Sequence, residues 1–399
     1  MSEFDVAIVG AGPAGSWAAY RLARGGARVA LIDGSHPREK PCGGGVTGRA
    51  LDLVRSAVTP EQVASVPIET AAFAAGPHKT SMRLDETNAS ATLAVVARRD
   101  FDVTLVNAAI RVGATPVRAR ATEVARLNGG WTLSTADGPV SATWLLGADG
   151  ANSLVRRRVS APFRRADLSI AAGYFVHGAT SREIAIVFAH DPPGYLWSFP
   201  RPDHLAVGVG AQADESSSAG LQAMAAEWIR RSVGTDSYEL ERYSWPIPSL
   251  SAASLRREHA AGRGWMLAGD AAGLVDPITR EGIFFALASG AAAGESLLHA
   301  DPVRAYTEYL HAEIYPELIR AAELKAWFFR PRITHLMVQA LGRNRRIRAV
   351  MADLVAGRQP YRGLRRRLLK TFDVRTMAGY VNWRHNHLAR EHVRRDVSP

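Results

Sequence analysis

The first 33 residues leave little choice of fold. Phe4-Asp-Val-Ala-Ile-Val-Gly10 is a short apolar run with β-branched residues, the pattern of a buried parallel strand. Gly10-Ala-Gly12-Pro-Ala14-Gly15 follows at once, and Ser16-Trp-Ala-Ala-Tyr-Arg-Leu-Ala then opens a helix. A second strand is read over residues 27–33, ending in Asp33. Strand, glycine turn, helix, strand and an acid about 20 residues beyond the glycines form a dinucleotide-binding pattern. Gly10 permits the tight turn, Gly12 lets backbone approach a pyrophosphate, and Gly15 lets the helix pack close to the sheet. The helix N-terminus supplies free N–H groups and positive dipole to phosphates. Asp33 stands where an acid accepts hydrogen bonds from an adenosine ribose. A glycine turn alone is a weak signal, but here every element around it is in place.

A second segment, some 250 residues on, decides which dinucleotide. Trp265-Met-Leu-Ala-Gly269-Asp270 is an apolar strand ending in Gly-Asp, and Gly282-Ile283-Phe-Phe opens another helix. An aspartate at that strand end can hold ribityl hydroxyls, and the helix amides would face the electron-rich end of a reduced isoalloxazine ring. A nicotinamide dehydrogenase has no need of this third element, so the two segments describe the two ends of one FAD. The plain alternative for Asp270 is an N-cap of the next helix. Between them, Trp144-Leu-Leu-Gly-Ala-Asp149-Gly150 reads as a strand running into a turn and an arginine-rich helix start.

On these residues the chain resembles the geranylgeranyl reductase family of FAD-dependent oxidoreductases, within the p-hydroxybenzoate hydroxylase-like flavoprotein superfamily. The resemblance covers about the first 300 residues. It rests on residues 10–15, Lys40-Pro-Cys42-Gly43-Gly44-Gly45, Arg98-Arg-Asp-Phe-Asp102-Val-Thr-Leu, Gly194-Tyr195-Leu-Trp197-Ser-Phe199-Pro, and Gly269-Asp270 through Gly282. The Cys-Gly-Gly and Tyr-x-Trp-x-Phe-Pro segments narrow it to the reductases. It implies saturation of isoprenoid carbon–carbon double bonds by hydride from reduced flavin, with NADPH or a protein as electron donor. No second dinucleotide fingerprint is visible, so a nicotinamide would bind transiently. The cofactor-contacting set expected is Gly10, Gly12, Ala14, Gly15, Asp33, Cys42, Gly43, Gly44, Arg98, Val124, Asp149, Asp270, Gly282 and Ile283. One departure stands out. The family often has Thr-Gly-Glu-Gly where this chain has Thr279-Arg280-Glu281-Gly282. Arg280 is read either as a charge gripping an acidic substrate or an anionic reduced flavin, or as a solvated loop residue.

Cys42 is the only cysteine, which excludes an intrachain disulfide, a CxxC pair and a cysteine-rich metal site; no metal is expected. By resemblance it lies at the active site, donating a proton or shaping the pocket. The three glycines after it suggest backbone closely approached by a planar ring. Tyr195, Trp197 and Phe199 alternate, so they share one face of a strand, and 205–210 returns as the second arm of a hairpin. Such alternation is ordinarily core packing; the resemblance implies instead that, with Arg280, they contact the substrate as a wall between flavin and an apolar chain. The competing enzyme reading is a flavin-dependent monooxygenase or halogenase acting on an aromatic or polyketide-like substrate. Lys79, a conceivable halogenase lysine, sits in what reads as an ordinary turn. A flavin-bearing binding protein without turnover is the remaining class.

The expected fold is α/β, with a discontinuous Rossmann-like FAD domain (1–70, 96–165 and 255–298), an antiparallel-sheet substrate domain (71–95 and 166–254) and a helical, basic C-terminal region (299–399). At 399 residues and 47% hydrophobic, the chain can fill two cores. No apolar run approaches a bilayer span, and the start leads straight into a strand, so a cytoplasmic monomer or small homo-oligomer is expected. Charge is uneven. Residues 320–399 carry 19 Lys/Arg against 5 Asp/Glu, a local +14, which leaves −3 for the rest of a chain whose total is +11. Arg343, Arg345, Arg346, Arg348, Arg365, Arg366, Arg367 and Lys370 cluster there, with Leu364, Leu368, Leu369 and Phe372 as an apolar set. Such helices are read either as a solvated face or as attracted to an anionic membrane surface or a diphosphate lipid, the surface being the inner face of the membrane. No nucleic-acid module accompanies the arginines.

Overall fold

A computed structural model describes residues 3–84, 93–127, 129–233 and 238–370. Phe372 and the rest of the tail beyond 370 lie outside them. The first strand, Phe4–Val9, is apolar because it is buried centrally in a parallel sheet. It pairs with Val29–Ile32 on one side and Gly138–Gly147 on the other. Thr115–Val117 extends the sheet beyond Val29–Ile32, and Trp265–Leu267 extends it beyond Gly138–Gly147, both in parallel. An antiparallel meander, Glu123–Leu127 and Gly130–Thr135, leans on Gly138–Gly147.

The register explains why distant motifs meet. Val9 is level with Ile32 and Gly147, and Gly147 with Leu267. Gly10, Asp33, Asp149 and Asp270 therefore follow the carboxyl ends of four strands along one edge, where open α/β sheets bind ligands.

Among the helices on this sheet, two position the site. Pro13–Arg24 has proline at its start, Gly25 at its end, and a nearly all-buried surface of Ala, Trp, Tyr and Leu. It packs on Ile283–Ser296 so closely that a Cβ on Gly290 would stand 2.3 Å from the Ala14 carbonyl oxygen. The close crossing sets both helix N-termini side by side at the binding edge.

A second sheet of seven strands runs in the order Glu239–Pro248, Leu168–His177, His204–Gln212, Pro193–Pro200, Glu183–His190, Thr70–Ala75 and His78–Arg83. It is antiparallel except where Glu183–His190 meets Thr70–Ala75. The aromatic hairpin forms as read, with Tyr195 opposite Gly210, Trp197 opposite Gly208 and Phe199 opposite Ala206. Lys79 falls in a strand rather than a turn, because His78–Arg83 returns antiparallel along Thr70–Ala75. A small sheet of Gly45–Val46, Ala94–Val96 and Ser65–Pro67 lies beside these. Residues 302–355 are helical: Pro302–Tyr309, a π turn over Leu310–Ile314, Tyr315–Phe328, Pro331–Arg343 and Arg345–Val355. Pro331–Arg343 packs its apolar face, including Val338 and Leu341, with Phe73, Ile184 and Phe188 of the second sheet.

Candidate active site

One cavity of about 1150 Å³ runs between the two large sheets. At one end it is built by the glycine turn. A Cβ on Gly10 would stand 2.4 Å from the Ala148 carbonyl oxygen, and one on Gly15 would stand 1.8 Å from that of Gly10. Gly12 instead has nothing within 4 Å of such an atom, so its open side faces the cavity. Gly12 is also the N-cap of the first helix and gives it no side-chain cap. Asp33 closes this end. It accepts the Ala11 amide at 2.8 Å and the Ser35 amide and hydroxyl at 2.7 and 2.6 Å. Burial works against its ionisation, but His36, Ser35 and the Ala11 amide outweigh that and hold the carboxyl well below its ordinary range. Asp149 also lines the cavity; burial pushes its carboxyl up, although it accepts the Leu154 amide at 2.6 Å.

The middle of the cavity is the loop after the second strand, and its fastenings were not read from the sequence. His36 places its ring nitrogens 3.0 Å from Asp33 Oδ2 and 3.5 Å from Asp102 Oδ2. Burial disfavours its charge, yet Asp102 and Asp33 together raise its pKa above the ordinary value. Lys40 Nζ donates to Asp270 Oδ2 at 3.0 Å. Asp270 thus clamps the loop instead of capping a helix. Arg201, fully buried, pairs with Glu39 and donates to the Cys42 carbonyl at 2.5 Å. Thr47 donates to Glu281 at 2.8 Å, and Arg49 pairs with the same carboxylate.

Cys42 sits at the junction. Its sulfur accepts the Gly44 amide at 3.3 Å, and it stands within electrostatic reach of Arg98, Tyr195 and Tyr243. Arg98 is itself buried and paired to Asp102 at 2.8 Å. The planar ring pressed against the glycines here belongs to Phe199, whose Cδ2 would lie 2.7 Å from a Cβ on Gly43.

At the far end Tyr195, Trp197 and Phe199 line the cavity with Phe73, Phe188 and Phe328. The glycines opposite leave room for them: a Cβ on Gly208 would meet the Trp197 ring at 2.5 Å. Tyr195 donates to the Thr279 carbonyl at 2.5 Å, which fixes the loop bearing Arg280. Gly282, Ile283 and Arg280 line the same space. Gly282 is the N-cap of Ile283–Ser296, and no side chain caps that helix either.

Of the residues expected from the sequence, all but two reach the cavity wall. Gly15 lies beneath it as a packing glycine. Val124, on the first strand of the meander, is buried in the core, while Ala121 and Thr122 just before that strand reach the wall. Lys79 is exposed and does not line the cavity. Among the described residues no cluster of His, Cys, Asp or Glu is arranged for a metal.

The residues present fit FAD. Two uncapped helix N-termini open on one cavity, a glycine offers bare backbone to it, and acids stand at the ends of the strands that border it. Fold and site together define a FAD-dependent oxidoreductase. The family described as FAD binding domain matches residues 3–300. The chain is 29% identical over 321 residues to geranylgeranyl diphosphate reductase of Rhodobacter capsulatus, covering 74% of this chain and 75% of that one. It is 28% identical over 350 residues to digeranylgeranylglycerophospholipid reductase of Methanothrix thermoacetophila, covering 82% and 88%. Menaquinone reductase of Mycobacterium tuberculosis is 30% identical over 341 residues, covering 77% and 79%. Among solved structures, a geranylgeranyl bacteriochlorophyll reductase-like protein from Thermoplasma acidophilum superposes with a TM-score of 0.76 at 22% identity, over 92% of this chain and 99% of that one. A flavin-dependent brominase shares the fold with a TM-score of 0.67 at 20% identity, over 92% and 98%. The chain belongs to the geranylgeranyl reductase family.

Proposed function

We propose that this protein saturates carbon–carbon double bonds of an isoprenoid or similar apolar substrate. The observation that carries this reading is the continuity of the cavity, from the phosphate-binding turn, past Cys42, to an aromatic wall. Gly12, Asp33 and Asp270 would hold FAD, which, reduced by NADPH or a protein donor, would supply the hydride for one alkene carbon. The protein's own residues do the rest. Tyr195, Trp197 and Phe199 align an apolar chain and exclude water, and Cys42 delivers the proton to the neighbouring carbon. The names of the relatives support an isoprenoid substrate.

The test is anaerobic. The purified protein is reduced, incubated with geranylgeranyl-chain substrates, and the products are weighed by mass spectrometry. A gain of two hydrogens is expected. A requirement for oxygen with a gain of one oxygen would replace this reading with a monooxygenase. The halogenase alternative loses support from the structure, since its candidate Lys79 lies outside the cavity.

We also propose that the enzyme meets its substrate at an anionic membrane surface. Trp327 is 51% exposed and Leu324 38% exposed, three residues apart on one helix within the basic C-terminal region. Among the described residues no helix is long and apolar enough to cross a membrane, so the association would be peripheral.

A further inference from the structure

Arg280 is, among the described residues, the non-glycine residue held at positive φ, 58°. L side chains adopt that conformation at a cost. It occupies the place where the family pattern has glycine, so the chain bears the strain for the sake of a side chain. That side chain turns toward the antiparallel sheet. Its guanidinium carbon lies 4.8 Å from the Tyr195 ring centroid and 5.9 Å from that of Phe329. A Cβ on Gly210 would stand 2.9 Å from its Nε, so a glycine has made way for it.

Among the described residues the charge meets the neutral Tyr195 side chain and no anion. Nε and Nη1 are buried without an acceptor. No described carboxylate forms an ion pair with Arg280, and the acids of its own loop are engaged elsewhere. Glu281 is held by Thr47 and Arg49. Asp276 accepts the amides of Ile278 and Thr279 and the hydroxyl of Tyr361, at 2.8, 3.1 and 2.9 Å. Lys325 lies nearby and offers no counter-charge: it donates to the neutral oxygens of Gln212 and Ser249, and burial, with Arg280 close by, pushes its pKa down to about 7 against the pull of Glu215 and Asp214. A half-buried guanidinium with two nitrogens shut off from water and from any acceptor is costly, and a ligand anion would relieve that cost.

We propose that Arg280 is a specificity residue that binds an oxyanion, a carboxylate or a phosphate, carried by the apolar substrate at the Tyr195 end of the cavity. This rests on the apolar-substrate reading and narrows it to chains that end in an acid.

The test is calorimetric titration of the FAD-loaded protein with three ligands of one chain length: geranylgeraniol, geranylgeranoic acid and geranylgeranyl monophosphate. At least one anion should bind roughly ten- to a hundredfold more tightly than the alcohol, the scale of one charge-assisted hydrogen bond. The tighter of the two names the source of the oxyanion. Arg280→Gln should erase the preference while moving the alcohol far less, and Arg280→Lys should keep part of it. Arg280→Gly should leave Tm unchanged or raise it, because the backbone strain is relieved; a fall in Tm, with the preference intact in Arg280→Gln, would make the residue structural and overturn the proposal. Equal binding of all three ligands to the wild type would also overturn it, leaving the apolar pocket standing. If none of the three binds, the pocket reading falls with it.

Discussion

Trp197 shows how a single position joins packing to function. Its ring fills the space left by Gly208, is buried, and still forms cavity wall. Trp197→Ala should therefore lower turnover of a long apolar substrate while the bound-flavin spectrum persists. Removing so large a buried ring costs about 3–5 kcal/mol, so a urea titration belongs beside the kinetics. Unchanged kinetics in a folded, yellow protein would remove the ring from the substrate path. Cys42→Ser is the companion: slow alkene reduction with normal flavin reduction is expected, and an unchanged alkene step would leave the thiol as packing. His36 carries a pH prediction. Its pKa is raised above 6.5 by the fold, so its stabilising charge is fully present below pH 6.5 and is lost as pH rises through the higher folded value. Tm should fall across that window in the wild type, and the fall should be smaller in His36→Gln. The aromatic alternation was legible because a strand repeats every two residues. That Phe199 is the ring seated on Gly43 was not, since a glycine reports that something comes close but not what.

The loop from His36 to Arg49 is the element on which the site turns. It is held by Arg201 to Glu39 and the Cys42 carbonyl, by Lys40 to Asp270, and by Thr47 and Arg49 to Glu281. These partners lie 162, 159, 230, 234 and 232 residues apart in the chain. Pairs so distant leave no local pattern, which is why sequence reasoning marked Cys42 and Asp270 but gave no role to Arg201, Glu39 or Lys40. The strands and helices, by contrast, announce themselves through short periods. Arg201→Met should destabilise the protein by about 3 kcal/mol, the low end for breaking a buried ion pair, because Glu39 keeps the Arg98 and Arg99 amides at 2.9 and 3.2 Å. Flavin affinity should drop with it, measured by fluorescence on release. Full stability and affinity in this variant would mean that the loop is fastened elsewhere.

At the scale of the molecule, the basic excess of the C-terminal region is less free than composition suggested. Arg367 and Arg358 both pair with Asp353, so those charges serve the fold. Arg345, Arg346 and Arg366 are exposed, and each contributes roughly 1 kcal/mol at best near an anionic surface. Sedimentation with phosphatidylserine vesicles should show binding that falls with salt and weakens when these three become glutamine. Binding to neutral vesicles alone, or none at all, would reject the surface reading. The parallel sheet, the antiparallel sheet and the helical region were each legible as classes, yet the cavity is a property of their assembly, with walls drawn from Val9 to Val355. A ligand lodged there joins segments from nearly the whole described chain. FAD at a thousandfold excess over its Kd would add about 4 kcal/mol to the folded state, a shift that thermal melts with and without added FAD would reveal. In a cell, a chain made faster than flavin is supplied would open more often and be cleared by proteases. The abundance of the enzyme would then follow riboflavin supply without any regulator reading it.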